Sequence, residues 1–481
     1  MFWIPLLLII PLIGILGLLA FPAQNAPWTA AFVTGANLLL ALGRLVGLYG
    51  QGRGSFMGIF QLNGVGLFVT CITLFVGFTA TLYSTHYMKT AEFRHPADKG
   101  RTRTYFLFIL VFYFTLVGVP LFENVVLTWA FIEATALASV LLVDFHRTKG
   151  TIEASWKYLI IMEFGGLCAL FGTLLLLFAQ PNQAVASTWT ELQQIAPHIS
   201  HKALQLAFVL GLVGYGAKTG LTPFHFWLPD AHSQAPSPIS GMLSGIKLNC
   251  AFYGILRFMS VADAGGVYWF AHAALLILGV ATVLVGVLMM IAQHDYKRLF
   301  AYSSAENMGM IAIGFSLGPV GALGGFLQMI NHSLIKSMLF FQSGELLHAT
   351  GTTDMKGLRG VARVWPWAGG TLMLAMLAIA GAPPFGLFIS ELIIVYALFH
   401  SAVPVLGVLV LLLLIILFAS FLRYAIQIGY GESSEHLDRF REQYGKSWTS
   451  AVPFGVHIAL VLAFGLLLPF GISALRSLSL L

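Results

Sequence analysis

The sequence predicts an all-α polytopic membrane protein of about fourteen transmembrane helices, and three observations point there. Only 9% of the residues are charged while 58% are hydrophobic, against about a quarter charged in an ordinary soluble domain. Apolar stretches of about 20 residues, the length that crosses a bilayer as a helix, recur from one end to the other. The polar stretches between them, the largest near 86–103, 180–202 and 431–447, are too short for a soluble catalytic domain.

The stretches centre near residues 11, 39, 73, 113, 134, 167, 215, 248, 280, 309, 333, 381, 415 and 462. The first, opening at Met1 to Pro5, lacks a basic leading segment, so it reads as a retained span and not a cleaved signal. Two spans carry breaks. The seventh is interrupted near Thr222 and Pro223, the twelfth near Ala382 to Gly386, with Pro383 and Pro384 inside. A proline frees backbone carbonyls, which is tolerated at membrane depth only where protein or a water-filled cavity surrounds them. Breaks five spans apart imply two five-helix repeats, spans 4–8 and 9–13, and the odd offset implies that they are inverted. The expected layout is spans 1–3 in residues 1–100, a first repeat in 101–262, a second in 263–430, and a polar loop with the last span in 431–481.

Charge gives an orientation. Of the 25 Lys and Arg residues, 17 fall after spans 3, 5, 9, 11 and 13, and five (Arg44, Arg53, Lys202, Arg257 and Arg476) on the opposite side. The positive-inside rule then puts both termini outside. The net charge of +6 follows from that topology and carries no sign of nucleic-acid binding. Cys71, Cys168 and Cys250 have no metal or disulfide spacing, and nothing matches a nucleotide loop, an iron–sulfur cysteine set or a haem attachment site. No metal site and no redox chemistry are expected of this chain alone.

Lys218, Lys247 and Lys336 lie within spans, and Glu133, Glu163 and Glu391 lie near span centres or breaks. An ionisable group at that depth costs several kcal/mol and is a functional-site hypothesis by default. Each must pair, hydrate or neutralise, and burial and neighbouring charge pull its proton affinity in opposite directions. That tunability suits a proton relay. His332 precedes Lys336 by four positions, so the two share a helix face. Blander readings compete: Lys218 and Lys336 could snorkel to an interface, Glu133 could neutralise a lysine, Glu163 could cap locally, and Glu391 could be a helix-end carboxylate. His225 and His232 read as ordering the segment after the first break, His225 with a possible second role. Asp295, Lys297, Arg298 and Glu306 read as interface charges, Glu306 being the best candidate for more.

The run from Lys218 to Arg257 strongly resembles the antiporter-like membrane subunits of complex I. That superfamily also holds the Mrp sodium/proton antiporter subunits and the membrane arms of group 4 hydrogenases. Supporting segments are Glu123 to Glu133, His294 to Ser304, His332 to Lys336 and Gly381 to Glu391, and the resemblance covers about residues 65–430. Ser244 to Asn249 and Ala305 to Gly309 look most like the F-type subunit of hydrogenase-4 and formate hydrogenlyase complexes. Glutamate at 391 matches the M-type subunit of complex I better than the L-type. The resemblance implies an entry half-channel with Glu133 and Lys218, and a line continued by Lys336 and Glu391. One position departs: many relatives carry a lysine where this chain has Asn249, and Lys247 stands two residues earlier. Two residues are about 200° around a helix, so Lys247 should face elsewhere unless the helix is irregular there; His332, water or a redirected Lys247 could fill the link.

The expected function is therefore proton translocation, without catalysis, in the membrane arm of a redox-driven complex in a bacterial or archaeal cytoplasmic membrane. Iron–sulfur clusters and a nickel–iron or quinone site belong on partner subunits. The alternatives are an Mrp-type sodium/proton antiporter subunit and an energy-coupling subunit of an inorganic-carbon uptake system.

Overall fold

The computed structural model describes residues 3–20, 22–48, 54–56, 59–62, 64–94, 100–181, 186–432 and 448–476. Five of the loop cations used for the orientation, Arg53, Lys99, Arg439, Arg441 and Lys446, lie outside the described residues. Helices dominate; among the described residues the one pair of strands is a short hairpin, Gly54–Phe56 and Phe60–Leu62. Among the described residues, ten helices are long and apolar enough to cross a membrane, and the bent pair Met355–Val364 and Pro366–Ile379 makes an eleventh. The expected fourteen also counts Thr102–Gly118, Tyr296–Ser316 and Gly318–Thr350. The first of these is short, at 17 residues; the other two carry the polar side chains described below.

Helix starts follow local chemistry. Asn124 accepts from the N–H groups of Val126 and Leu127 to open Val125–Val143, and Thr148 with Thr151 forms a capping box at Lys149–Phe178. Ser200 caps His201–Thr219 and Asp295 caps Tyr296–Ser316. The short Trp189–Ile195 helix carries a second capping box, Thr188 with Glu191. Hydrogen bonds from Thr188 and Ser187 hold that exposed carboxyl below the usual carboxylate range.

The chain divides into two compact units. The first holds residues 1–78, 101–227 and 246–277, the second 79–100, 228–245 and 278–481. In the first, small residues let two helix backbones touch: a Cβ on Gly165 would lie 2.6 Å from the Gly214 carbonyl oxygen, the small-residue contact that replaces hydrophobic drive inside lipid. Large apolar side chains stay exposed, among them Phe178, Ile277 and Val405. In a bilayer such faces meet solvent of their own kind. The three cysteines are free thiols.

Candidate functional site

The first break is built by a glycine. Gly220 has φ +78°, a left-handed geometry that costs an L side chain about 1–2 kcal/mol. Its N–H reaches the Ala217 carbonyl at 3.3 Å and the Leu221 N–H reaches Gly216 at 2.9 Å, the paired bonds of a Schellman cap. The helix is thus already closed when Pro223 arrives without a donor. Trp227 Nε1 gives the Ala217 carbonyl a further bond at 3.0 Å.

Lys218 sits two residues before that glycine and is completely buried, so it does not snorkel. Its Nζ donates to Glu133 Oε1 at 3.0 Å, lies 2.9 Å from Oε2, and donates to the Met162 carbonyl at 2.8 Å. The ammonium thus makes two hydrogen bonds and a close ion-pair contact with the second carboxylate oxygen. Glu133 comes from mid-helix in Val125–Val143 and Met162 from Lys149–Phe178. The carboxylate fits because residue 166 is glycine: a Cβ there would lie 1.9 Å from Glu133 Oε2. Glu163, one residue on from Met162, is partly buried, and its Oε1 has no hydrogen-bond partner among the described residues.

Lys247 joins this group because its helix is irregular. Residues Leu243–Lys247 form a π-turn, which inserts an extra residue and rotates the register by about 100°. The Lys247 Nζ ends 3.0 Å from Met162 Sδ and 4.6 and 4.7 Å from the rings of Tyr158 and Trp227. Met162 therefore offers its carbonyl to one lysine and its sulfur to the other. Asn249 is buried.

The second unit repeats the break. Gly381 has φ +73°, its N–H reaches Ala378 at 3.3 Å, and the Ala382 N–H reaches Leu377 at 3.1 Å. Pro383 and Pro384 follow, and the chain re-enters a helix at Gly386–Phe399, which carries Glu391. That carboxylate folds back onto the break: a Cβ on Gly381 would lie 2.2 Å from Glu391 Oε2. An amide chain runs from one carboxylate towards the other. Asn307 Nδ2 donates to Glu306 Oε2 at 2.7 Å, Gln328 Nε2 to Asn307 Oδ1 at 2.8 Å, and Ser390 Oγ to Gln328 Oε1.

Lys336, also completely buried, donates to the Phe300 carbonyl at 2.7 Å and to Ser303 Oγ. Among the described residues no carboxylate lies within ion-pair distance of it. His332 shares its face and is buried, with neither ring nitrogen hydrogen-bonded among the described residues. His232 is buried and stacks on Phe340 at 5.1 Å. His225 stays partly exposed, with Nδ1 3.4 Å from Thr222 Oγ1.

Three expectations need correction. Glu306 and Lys297 are not interface charges: both are buried, and Lys297 donates at 2.8 Å to the carbonyl of Ala235, the residue just past the end of the helix Trp227–Gln234, where backbone carbonyls lack an intrahelical partner. Arg298 does remain half-exposed and pairs with Asp230 at 2.9 Å. Arg257 is not an outer-loop cation; it lies inside Leu248–Ala264, 2.8 Å from Glu123 Oε2, whose other oxygen accepts from Thr190. Met162, Ser303, Asn307 and Gln328 were not singled out from the sequence at all. Neutral residues inside apolar runs carry no signal of their own, although the amides stand out once Glu306 is placed beside them.

Residues 122–417 match the family described as NADH:quinone oxidoreductase/Mrp antiporter, TM. The chain is 36% identical over 432 residues to a hydrogenase-4 component F homolog of Methylacidiphilum infernorum, covering 86% of each protein. It is 30% identical to hydrogenase-4 component B of Escherichia coli over 69% of this chain and 49% of that one. Among solved structures, a chain of the membrane-bound sulfane sulfur reductase, an archaeal respiratory membrane complex, superposes with a TM-score of 0.87 at 22% identity, over 99% of this chain and 96% of that one. A chain of the Mrp complex from Dietzia sp. gives 0.84 at 19% identity, over 100% and 97%. A chain of respiratory complex I from Thermus thermophilus gives 0.83 at 22%, over 99% and 98%.

Proposed function

The chain belongs to the NADH:quinone oxidoreductase/Mrp antiporter transmembrane family, and we propose that within it this antiporter-like subunit moves protons in the membrane arm of a redox-driven complex of the hydrogenase-4 kind. The observation that carries the reading is Lys218, fully buried beside a helix break and held by Glu133 and the Met162 carbonyl. Buried charge is stable only while it is paired. Protonating Glu133, or drawing it away, leaves Lys218 a cation without a counter-ion, and the proton becomes cheap to release. Lys247, on the other side of Met162, is the acceptor that the π-turn supplies where Asn249 cannot be protonated.

The second cluster is read as the delivery side: Lys336, His332, Glu306 and Glu391, with the amide chain keeping the two carboxylates in register. The like-built caps at Gly220 and Gly381 support two inverted five-helix repeats, with Pro223 and Pro383–Pro384 as the places where hydration gates the path. The chain itself is taken to be non-catalytic and to bind no cofactor; iron–sulfur clusters and a nickel–iron or quinone centre are assigned to partner subunits, and both termini to the outer side of a cytoplasmic membrane.

The test is proton movement by the intact complex in inside-out membrane vesicles. Lys218→Ala and Glu391→Gln should each lower the protons moved per electron pair about tenfold or more while electron transfer continues. Unchanged pumping in both variants would refute the relay. Sodium-dependent exchange with no redox partner would favour an Mrp-type antiporter, a reading supported by 30% identity to Na(+)/H(+) antiporter subunit A1 of Staphylococcus aureus over 69% of this chain and 41% of that one.

A further inference from the structure

The helix Trp448–Arg476 lies beyond the residues that match the family and has no task in the reading above. It nevertheless carries a completely buried histidine. His457 Nδ1 lies 2.8 Å from the Leu334 carbonyl oxygen, and its Nε2 lies 2.9 Å from Thr79 Oγ1. A single neutral tautomer serves both contacts: Nδ1–H donates to the carbonyl and Nε2 accepts from the hydroxyl. The ring is fixed edge-on against Phe341, at 5.8 Å.

The place of that carbonyl is what matters. Leu334 lies midway between His332 and Lys336, on the helix Gly318–Thr350. Eight residues after His457, about two helical turns, Gly465 presses on the second break: a Cβ there would lie 1.8 Å from the Pro384 carbonyl oxygen. The neighbouring Phe464 backs onto Gly386. One helix thus grips the backbone between His332 and Lys336 and also the turn that leads to Glu391. Packing alone does not ask for a histidine here; a leucine would fill the space without the cost of a polar group at membrane depth.

We propose that His457 is a positioning residue for proton transfer: it holds the Leu334 carbonyl, and through it the directions of His332 and Lys336, while Gly465 seats the same helix on the proline turn before Glu391. The terminal helix is then a clamp across the second proton cluster. This deepens the proposed function and rests on it.

The test compares His457→Leu, His457→Gln and Thr79→Val in the intact complex, in inside-out vesicles, with Lys336→Ala run beside them. Glutamine keeps a donor and an acceptor; leucine keeps neither. The readouts are the amount of assembled complex, protons moved per electron pair, and the pH profile of pumping. His457→Leu should assemble normally yet lose about fivefold in proton yield, the factor that one buried hydrogen bond is worth, with a shifted pH profile. His457→Gln should recover most of the yield, and Thr79→Val should fall between.

Unchanged yield and profile in His457→Leu would overturn the clamp, as would equal impairment in the leucine and glutamine variants, which marks simple packing. If His457→Leu does not assemble, Thr79→Val decides: it leaves the ring in place but frees it to turn, so a shifted profile supports the clamp and an unshifted one removes it. Lys336→Ala separates the levels. If it too pumps normally, the proton reading of this cluster fails; if it is dead while His457→Leu is unaffected, the clamp alone fails.

Discussion

The two broken helices use the same backbone device and opposite electrostatics. Each ends in a Schellman cap on a left-handed glycine, Gly220 or Gly381, with a proline three residues on. In the first unit the charge before the break is answered directly, since Lys218 meets both oxygens of Glu133. In the second, Lys336 rests on a carbonyl and a hydroxyl, Glu306 is tied to the Asn307 amide, and the chain of amides ends on Ser390, the residue before Glu391. A matched pair is a stable store of charge, whereas a lysine on neutral acceptors is a place where a proton can stay or leave with little rearrangement. On the function proposed above, the first cluster loads and the second passes on.

The largest expected effect tests the matched pair. Glu133→Gln strands a buried ammonium, and breaking a buried pair on one side costs about 3–5 kcal/mol. Thermal unfolding of the purified protein should show it as a clear fall in Tm. Adding Lys218→Met should restore much of that loss while pumping stays dead. If Glu133→Gln is as stable as the parent protein, the pair is not the charge store the comparison requires.

A smaller effect is expected across the divide. Ser303→Ala removes one hydrogen bond to the Lys336 ammonium, a loss of about 1.5–3 kcal/mol, since the Phe300 carbonyl remains. Stability should fall less than for Glu133→Gln, and the pH profile of pumping should shift. A stability loss equal to that of Glu133→Gln would mean that Lys336 depends on Ser303 as Lys218 depends on Glu133, erasing the contrast.

Much of this arrangement was legible in the sequence, for physical reasons. A lysine in an apolar run and a proline in a span are costly, so Lys218, Lys336, Pro223 and Pro383 announce themselves. Glu133 and Glu391 do so for the same reason. What stayed hidden was whatever costs nothing to write into a membrane helix. The π-turn at Leu243–Lys247 has no side-chain signature, so Lys247 read as facing away. Met162 contributes a backbone carbonyl, which any residue could supply. The Gly166 cradle for Glu133 is a missing Cβ, visible only when the carboxylate is in place. Arg257 looked like one more loop cation because its partner Glu123 is 134 residues away.

The smallest stability effect gives the sharpest version of the comparison. Gly220→Ala and Gly381→Ala impose the same left-handed strain, about 1–2 kcal/mol each, so their unfolding temperatures should fall alike. Pumping should separate them. Gly220 closes the helix that carries Lys218, and with backbone strain as the change introduced its alanine variant should keep most of its pumping. At 381 the new methyl would enter the space of Glu391 Oε2. A carboxylate is the free end of a flexible side chain and can swing aside at little cost in stability, but only by leaving its place over the break. Gly381→Ala should therefore match Gly220→Ala in Tm and fall well below it in protons moved per electron pair. Equal pumping in the two variants would show that Glu391 does not need its seat on the break, and the second break would then be a structural copy of the first with no part in the path.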